Sequence, residues 1–232
     1  MNIQVYSGLY IDEKMYLLRE ADEVLMIDSV RNAEAEAYLQ DMQPEKIWMI
    51  LTHEHIDHIY GVNFYKERYS CEVICSESCA AGIQDSSKNL AKYKEIIFGE
   101  NEAADIEFDY FCIADRAFQK EYVWNWKQHK LELMEMPGHS PGSTCIVLDG
   151  QVMFSGDTIL KDFETITRLP GSSKRLFREE TIPRLKEFCQ ELMVYPGHGE
   201  SGKLRECLER KEDLNKKSVL CLAESEGNDV RK

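Results

Sequence analysis

No apolar run in this 232-residue chain approaches the length that a membrane-crossing helix needs, so a bilayer is not an expected partner. The start, Met1-Asn2-Ile3-Gln4-Val5-Tyr6, lacks a basic segment followed by an apolar one, so no secretory signal is read and a cytoplasmic protein is expected. Cations are scarce: 28 Lys and Arg stand against 42 Asp and Glu, a formal charge of -14. That balance opposes approach to phosphate polymers and argues against nucleic acid as a partner. No stretch rich in Pro, Gly or Ser divides the chain, and no internal repeat or low-complexity run is found. With 43% hydrophobic and 30% charged residues, residues 1–232 are expected to form one soluble domain with a substantial core.

A cysteine-based zinc site is also missing. Of eight cysteines, Cys71, Cys75 and Cys79 recur every four residues, but Glu72 to Cys75 reads as a strand and Cys79 opens the next helix. Cys112, Cys145, Cys189, Cys207 and Cys221 are scattered. Reduced, structural thiols are the reading, those in apolar runs acting as small hydrophobes.

What the chain does have is concentrated in Thr52-His53-Glu54-His55-Ile56-Asp57-His58, which holds three of its six histidines. Neutral imidazoles and a carboxylate suit zinc, and also iron or manganese. The apolar run Ile47 to Leu51 before it reads as a buried strand and Gly61 to Tyr69 after it as helical, so the histidines fall in a strand-to-helix loop. His53 and His55, two apart in extended chain, can point one way while Asp57 and His58 at the helix entrance point to a second position. Three later segments each offer one further ligand beside glycines: Pro137-Gly138-His139-Ser140-Pro141-Gly142, Ser155-Gly156-Asp157-Thr158 and Pro196-Gly197-His198-Gly199.

With HEHIDH, GHSPGS, GDT and PGHGES in this order, the sequence resembles the metallo-β-lactamase superfamily in its glyoxalase II-like hydrolase branch. The resemblance implies an α+β fold, an αββα sandwich of two mixed β-sheets flanked by helices; the strand and helix series alone says only mixed α and β. It also implies two divalent ions, zinc first and iron or manganese as alternatives. His53, His55 and His139 would hold one ion and Asp57, His58 and His198 the other, with Asp157 bridging, and Asp57, His58 and Asp157 carry the catalytic role. Seven groups are too many for one zinc and suit two ions. Two ions roughly 3.5–4 Å apart acidify a shared water, so that hydroxide is available near neutral pH without a Ser or Cys nucleophile.

The expected function is hydrolysis of a small-molecule thioester or ester. His55 stands where the flavodiiron branch has Glu, and Thr158 follows Asp157 where some β-lactamases carry a ligand cysteine. Glyoxalase II enzymes bind glutathione through a C-terminal helical extension, whereas this chain ends soon after its last motif; Lys161, Arg168, Lys174 and Arg175 are the cations near enough in sequence to meet an acidic substrate. A mononuclear iron persulfide dioxygenase, and a phosphodiesterase or lactonase, are the alternatives. A binding module that has lost catalysis fits poorly, because buried unliganded polar groups are costly to keep together.

Taken in order, Val5–Tyr10, Met15–Leu18 and Val24–Ile27 read as an antiparallel meander. Asp28 either caps the following helix or, by the resemblance, braces the metal loop, the preferred reading. Leu90, Tyr93 and Ile97 are expected on one helical face, and the aromatics from Phe98 to Trp126 to supply part of a pocket cover. His129 reads as a solvated turn residue. Asp149-Gly150 between two strand-like runs signals a hairpin that delivers Asp157. Helix is expected over Lys174–Glu191, with Pro183 near a helix start, and again from Leu204, and Leu192–Tyr195 as the last strand, before a frayed 224–232 tail.

Overall fold

The computed structural model describes residues 2–99 and 106–209. Alternating side chains on the N-terminal strands meet apolar surface on both faces, which is why those strands read as nearly unbroken apolar runs. On β2 (Lys14–Glu20), after β1 (Ile3–Ser7), Met15 and Leu17 pack outward under helices while Tyr16 and Leu18 pack inward. On β3 (Glu23–Ile27), Val24 and Met26 go outward, Leu25 and Ile27 inward. With β4 (Lys46–Ile50), β5 (Cys71–Ser76) and β6 (Arg116–Phe118) these form a six-stranded sheet in sequence order, antiparallel through β3 and parallel from there on. The helices Ala33–Met42 and Val62–Arg68 cover its outer face through Ala35, Leu39, Val62 and Tyr65.

The second sheet holds β7 (Glu121–Trp126), β8 (His129–Glu135), β9 (Thr144–Leu148), β10 (Val152–Gly156), β11 (Met193–Pro196) and β12 (Gly202–Lys203), ordered β12-β11-β10-β9-β8-β7. Its inner residues Trp126, Leu131, Leu133, Ile146, Leu148 and Phe154 close the core between the sheets. Its outer residues pack on Leu185 and on Leu204, Cys207 and Leu208. Two sheets with helices outside each are the αββα sandwich expected. Glu23 ties the sheets together, since one carboxylate oxygen accepts from Trp48 Nε1 at 2.7 Å and from Trp126 Nε1 at 3.0 Å.

Several local expectations are corrected. The first strand stops at Ser7, and residues 8–13 form a loop in which Asp12 takes φ 61°. Asn32, not Asp28, caps the first helix: its side chain accepts from the amides of Glu34 and Ala35. Leu90 sits at φ 70°, so Leu90, Tyr93 and Ile97 do not share one helix; a short turn over Ala91–Tyr93 precedes Lys94–Phe98. Helical backbone from Lys174 passes through a π-turn and ends at Glu187, because Phe188 is extended. Pro183 falls in the first turn of its last segment, Ile182–Glu187. His129 is not a solvated turn residue. It opens β8 between Glu20 (3.1 Å) and Asp149 (2.6 Å); burial opposes its charge, but these carboxylates raise its pKa. The Asp149-Gly150 turn holds as read, with φ of 53° and 65°. Cys221 and the 224–232 tail lie outside the described residues.

Candidate metal centre

Strand direction gathers the ligands. β3 and β4 are parallel, β10 and β11 are parallel, and β8 is antiparallel to β9, which is antiparallel to β10. The loops carrying Asp28, the HEHIDH run, His139, Asp157 and His198 each follow the C-terminal end of such a strand, so all five leave at one edge of the sandwich. Gly156 (φ 48°) and Gly197 permit the crowding there: a Cβ on Gly156 would strike the Thr52 side chain, and one on Gly197 the Asp157 carboxylate and the His58 ring. The amide of Gly197 donates to the Gly156 carbonyl at 2.9 Å, joining the two glycine loops directly.

All seven predicted residues converge, as two groups. His53, His55 and His139 form one; Asp57, His58, Asp157 and His198 form the other. His139 Nε2 lies 2.9 Å from His55 Nδ1. In the second group His198 Nε2 lies 3.2 Å from Asp57 Oδ2 and 3.3 Å from His58 Nε2. Asp157 stands between the groups: Oδ2 is 3.6 Å from His139 Nε2 and 3.6 Å from His198 Nε2, and Oδ1 is 3.6 Å from His58 Nε2.

The outward ring nitrogens are held from behind. Asp28, itself at φ 57°, accepts from the Thr52 amide and hydroxyl, each at 2.7 Å, and contacts His58 Nδ1 at 2.8 Å. The Thr52 hydroxyl also meets His53 Nδ1 at 3.0 Å, so one carboxylate orients two rings and leaves each Nε2 facing inward. Backbone carbonyls serve the later histidines: Ile166 O is 2.9 Å from His139 Nδ1 and Ile11 O is 3.2 Å from His198 Nδ1. Sequence reasoning weighed Asp28 but missed both carbonyls, since a backbone acceptor leaves no residue-type signal. It also missed Glu54, a buried carboxylate that accepts from the Ser140 hydroxyl at 2.8 Å and the Gly142 amide at 3.2 Å, stapling the first ligand loop to the second. Burial lifts its pKa to about 7.

Electrostatics separate the groups. Burial first, then neighbouring imidazoles, press His53 well below its ordinary pKa; burial lowers His139, and burial with the His139 ring takes His55 to about 3. In the second group burial also opposes charge on the histidines, but carboxylates outweigh it. Asp57 and Asp28 hold His58 well above its ordinary value, and Asp157 and Asp57 bring His198 to about 9. The same ion pairing overcomes burial to lower Asp57 and Asp157.

The donor set fits divalent cations. His53 Nε2, His55 Nε2 and Asp157 Oδ1 are buried with no hydrogen-bond partner, although buried polar atoms of this kind normally find one. Imidazole nitrogens and carboxylate oxygens facing one small volume are what zinc, iron or manganese accept.

Other expectations fare differently. Of the aromatics expected to supply part of a pocket cover, Phe98, Tyr110, Phe118 and Trp126 are core residues, Tyr122 stacks on Phe118 and Trp124 packs on Trp48, whereas Phe108 and Phe111 are exposed. The loops that reach the centre are 8–13 and 161–173. Among the four candidate cations, Arg175 pairs with Glu179 and Lys161 donates to the Ser201 carbonyl.

Fold and cluster together define an αββα protein with a buried His/Asp centre able to hold divalent metal. The chain belongs to the metallo-β-lactamase superfamily, whose family model matches residues 13–213. It is 25% identical over 191 residues to the probable metallo-hydrolase YqgX of Bacillus subtilis, covering 82% of this chain and 86% of that one. It is 27% identical over 223 residues to the mitochondrial persulfide dioxygenase ETHE1 of Mus musculus, covering 90% and 72% respectively. Among solved structures, the BLEG-1 B3 metallo-beta-lactamase superposes with a TM-score of 0.73 at 22% identity, covering 88% of this chain and 95% of that one, a likeness of fold. No helix among the described residues is long and apolar enough to cross a membrane.

Proposed function

We propose that the protein is a hydrolase of a small thioester or ester that depends on two divalent ions, zinc in the first instance. His53, His55 and His139 would hold one ion, Asp57, His58 and His198 the other, with Asp157 shared. The observation that carries this reading is Asp157: its two oxygens face both ligand groups, and one oxygen has no hydrogen-bond partner of its own. Two bound ions supply an acidified water near neutral pH. The chain's own part is orientation. Asp28, directly at His58 and through Thr52 at His53, and the carbonyls of Ile11 and Ile166 fix which nitrogen four of the five rings present. The Ser140 and Ser143 hydroxyls, in the loop that carries His139, are turned to Glu54 and to each other.

Likeness to the mouse persulfide dioxygenase, with a three-histidine group able to take one ion alone, favours a single-iron dioxygenase as the second reading. The deciding experiment measures turnover of thioesters, esters, lactones and phosphodiesters, and oxygen uptake with persulfides, by zinc-, manganese- and iron-loaded protein, with Asp157→Ala as blank. Thioester or ester turnover lost in the variant supports the hydrolase; oxygen uptake with iron alone and no hydrolysis overturns it.

A further inference from the structure

Glu13 is fully buried and is not one of the seven candidate ligands. A buried acidic side chain is costly unless donors meet its oxygens, and here both oxygens are met. Oε2 accepts from the Ile11 amide at 2.8 Å and Oε1 from the Tyr60 hydroxyl at 2.8 Å. Gly8 leaves the space, since a Cβ there would collide with the Glu13 side chain.

Both partners lead to the second ligand group. Ile11 is the residue whose carbonyl contacts His198 Nδ1 at 3.2 Å, so Glu13 holds it by the amide while the ring meets it at the carbonyl. Asp12, the next residue, takes φ 61°, a left-handed turn that needs support from its surroundings, and the pinned Ile11 amide supplies some of it. The main chain continues the attachment: Glu13 forms an isolated bridge to His198, and the Lys14 amide donates to the Gly197 carbonyl at 2.8 Å. Tyr60 leads to the opposite side of the same group. Its amide donates to the Ile56 carbonyl at 3.0 Å and so closes the turn that carries Asp57 and His58. One side chain therefore spans the His198 loop and the Asp57–His58 turn. The three-histidine group has its own brace in Glu54, which joins the first ligand loop to the His139 loop.

We infer that Glu13 is a positioning residue for the second ligand group: it sets the Ile11 carbonyl, and with it the His198 ring, relative to Asp57 and His58, and leaves His53, His55 and His139 in place. This rests on the reading that His58 and His198 share an ion, but the hydrogen bond from His198 to Ile11 is present without metal.

The test starts with metal-free protein and nuclear magnetic resonance of two ring protons, those on Nδ1 of His198 and of His139, which the Ile11 and Ile166 carbonyls accept. Both should be protected from exchange with water in the parent. Glu13→Ala should speed exchange at His198 about tenfold and leave His139 within about twofold. Glu13→Gln keeps an acceptor for the Ile11 amide and can donate to the Tyr60 oxygen, so it should restore the parental rate. Tyr60→Phe removes one of the two partners and should fall between; it carries the same test if the alanine variant does not fold. In zinc titration of Glu13→Ala the second affinity should drop about 10- to 100-fold beside an unchanged first. The inference is overturned by no protected His198 proton in the parent, by unchanged exchange in the variants, by equal loss at His139, by a glutamine variant as impaired as the alanine one, or by two zinc affinities that fall together or not at all. Selective loss at His198 in a protein that binds a single zinc would sink the two-ion reading and leave the role of Glu13 standing.

Discussion

Metal binding to the two ligand groups should differ in its proton balance, and the difference follows from where the carboxylates lie. His53, His55 and His139 are driven below the ordinary imidazole pKa, so at pH 7 they are already neutral and can accept an ion without losing protons. His58 and His198 are raised by burial-opposing carboxylates, His198 to about 9, so at pH 7 the metal-free protein keeps protons on that pair. An ion must displace them. Each proton displaced makes the apparent affinity rise tenfold per pH unit, about 1.36 kcal/mol, as long as pH stays below the raised pKa. Their Nε2 atoms lie 3.3 Å apart, so the two charges repel, and the expected release is between one and two protons. The second ion's affinity should therefore climb about ten- to a hundredfold from pH 6.5 to 7.5, while the first ion's changes little. Isothermal titration with zinc in two buffers of different ionisation enthalpy gives the proton count directly. His198→Ala, which leaves the three-histidine group whole, should retain the proton-neutral event and weaken or lose the other. Proton release at the first event equal to that at the second, or none at either, would refute the assignment of charge to these groups.

Asp157→Ala and His55→Ala should each abolish turnover while leaving far-ultraviolet circular dichroism unchanged, and metal content should fall below two ions per chain. Asp28→Asn keeps the volume but exchanges an acceptor for a donor where Thr52 and His58 both need an acceptor. The second ion's affinity should drop about 10- to 100-fold, with folding otherwise intact, as read by competition against a chromophoric chelator. Glu54→Ala removes the single carboxylate oxygen that accepts from both the Ser140 hydroxyl and the Gly142 amide in a buried place, a cost of about 1–3 kcal/mol; at roughly 2–4 °C per kcal/mol, scanning calorimetry of the metal-free protein should resolve it.

How much of this was legible depended on whether a feature is carried by a side chain or by the backbone. The seven candidate ligands could be read because His and Asp beside glycine, each after an apolar run, leave residue-type marks, and all seven come together in two groups. The Asp149-Gly150 hairpin was legible because both residues take the positive φ that such turns demand. Of the two readings of Asp28, the preferred one holds: its carboxylate is buried against Thr52 and His58, and the cap of the first helix falls to Asn32. His129 was read as solvated because its sequence neighbours are polar, whereas its carboxylate partners, Glu20 and Asp149, come from other strands. The ring series from Phe98 to Trp126 looked like a site cover, yet aromatic side chains are the usual filling between layers, and only the packing shows that Trp126 and Phe118 close the inter-sheet core.

That division bears on what such a centre can be asked to reveal. Asp28, Thr52 and the seven candidate ligands act through their side chains, so any change among them alters the donor set or its orientation. The remaining orientation is done by the carbonyls of Ile11 and Ile166, which every amino acid possesses, so residues 11 and 166 can change identity while the rings of His198 and His139 stay pinned. Positions 11 and 166 thus touch the centre without the centre constraining their side chains. The donor set fixes which ions and which bond polarisation are available, and the mouth is free to be apolar, charged or narrow around the same geometry.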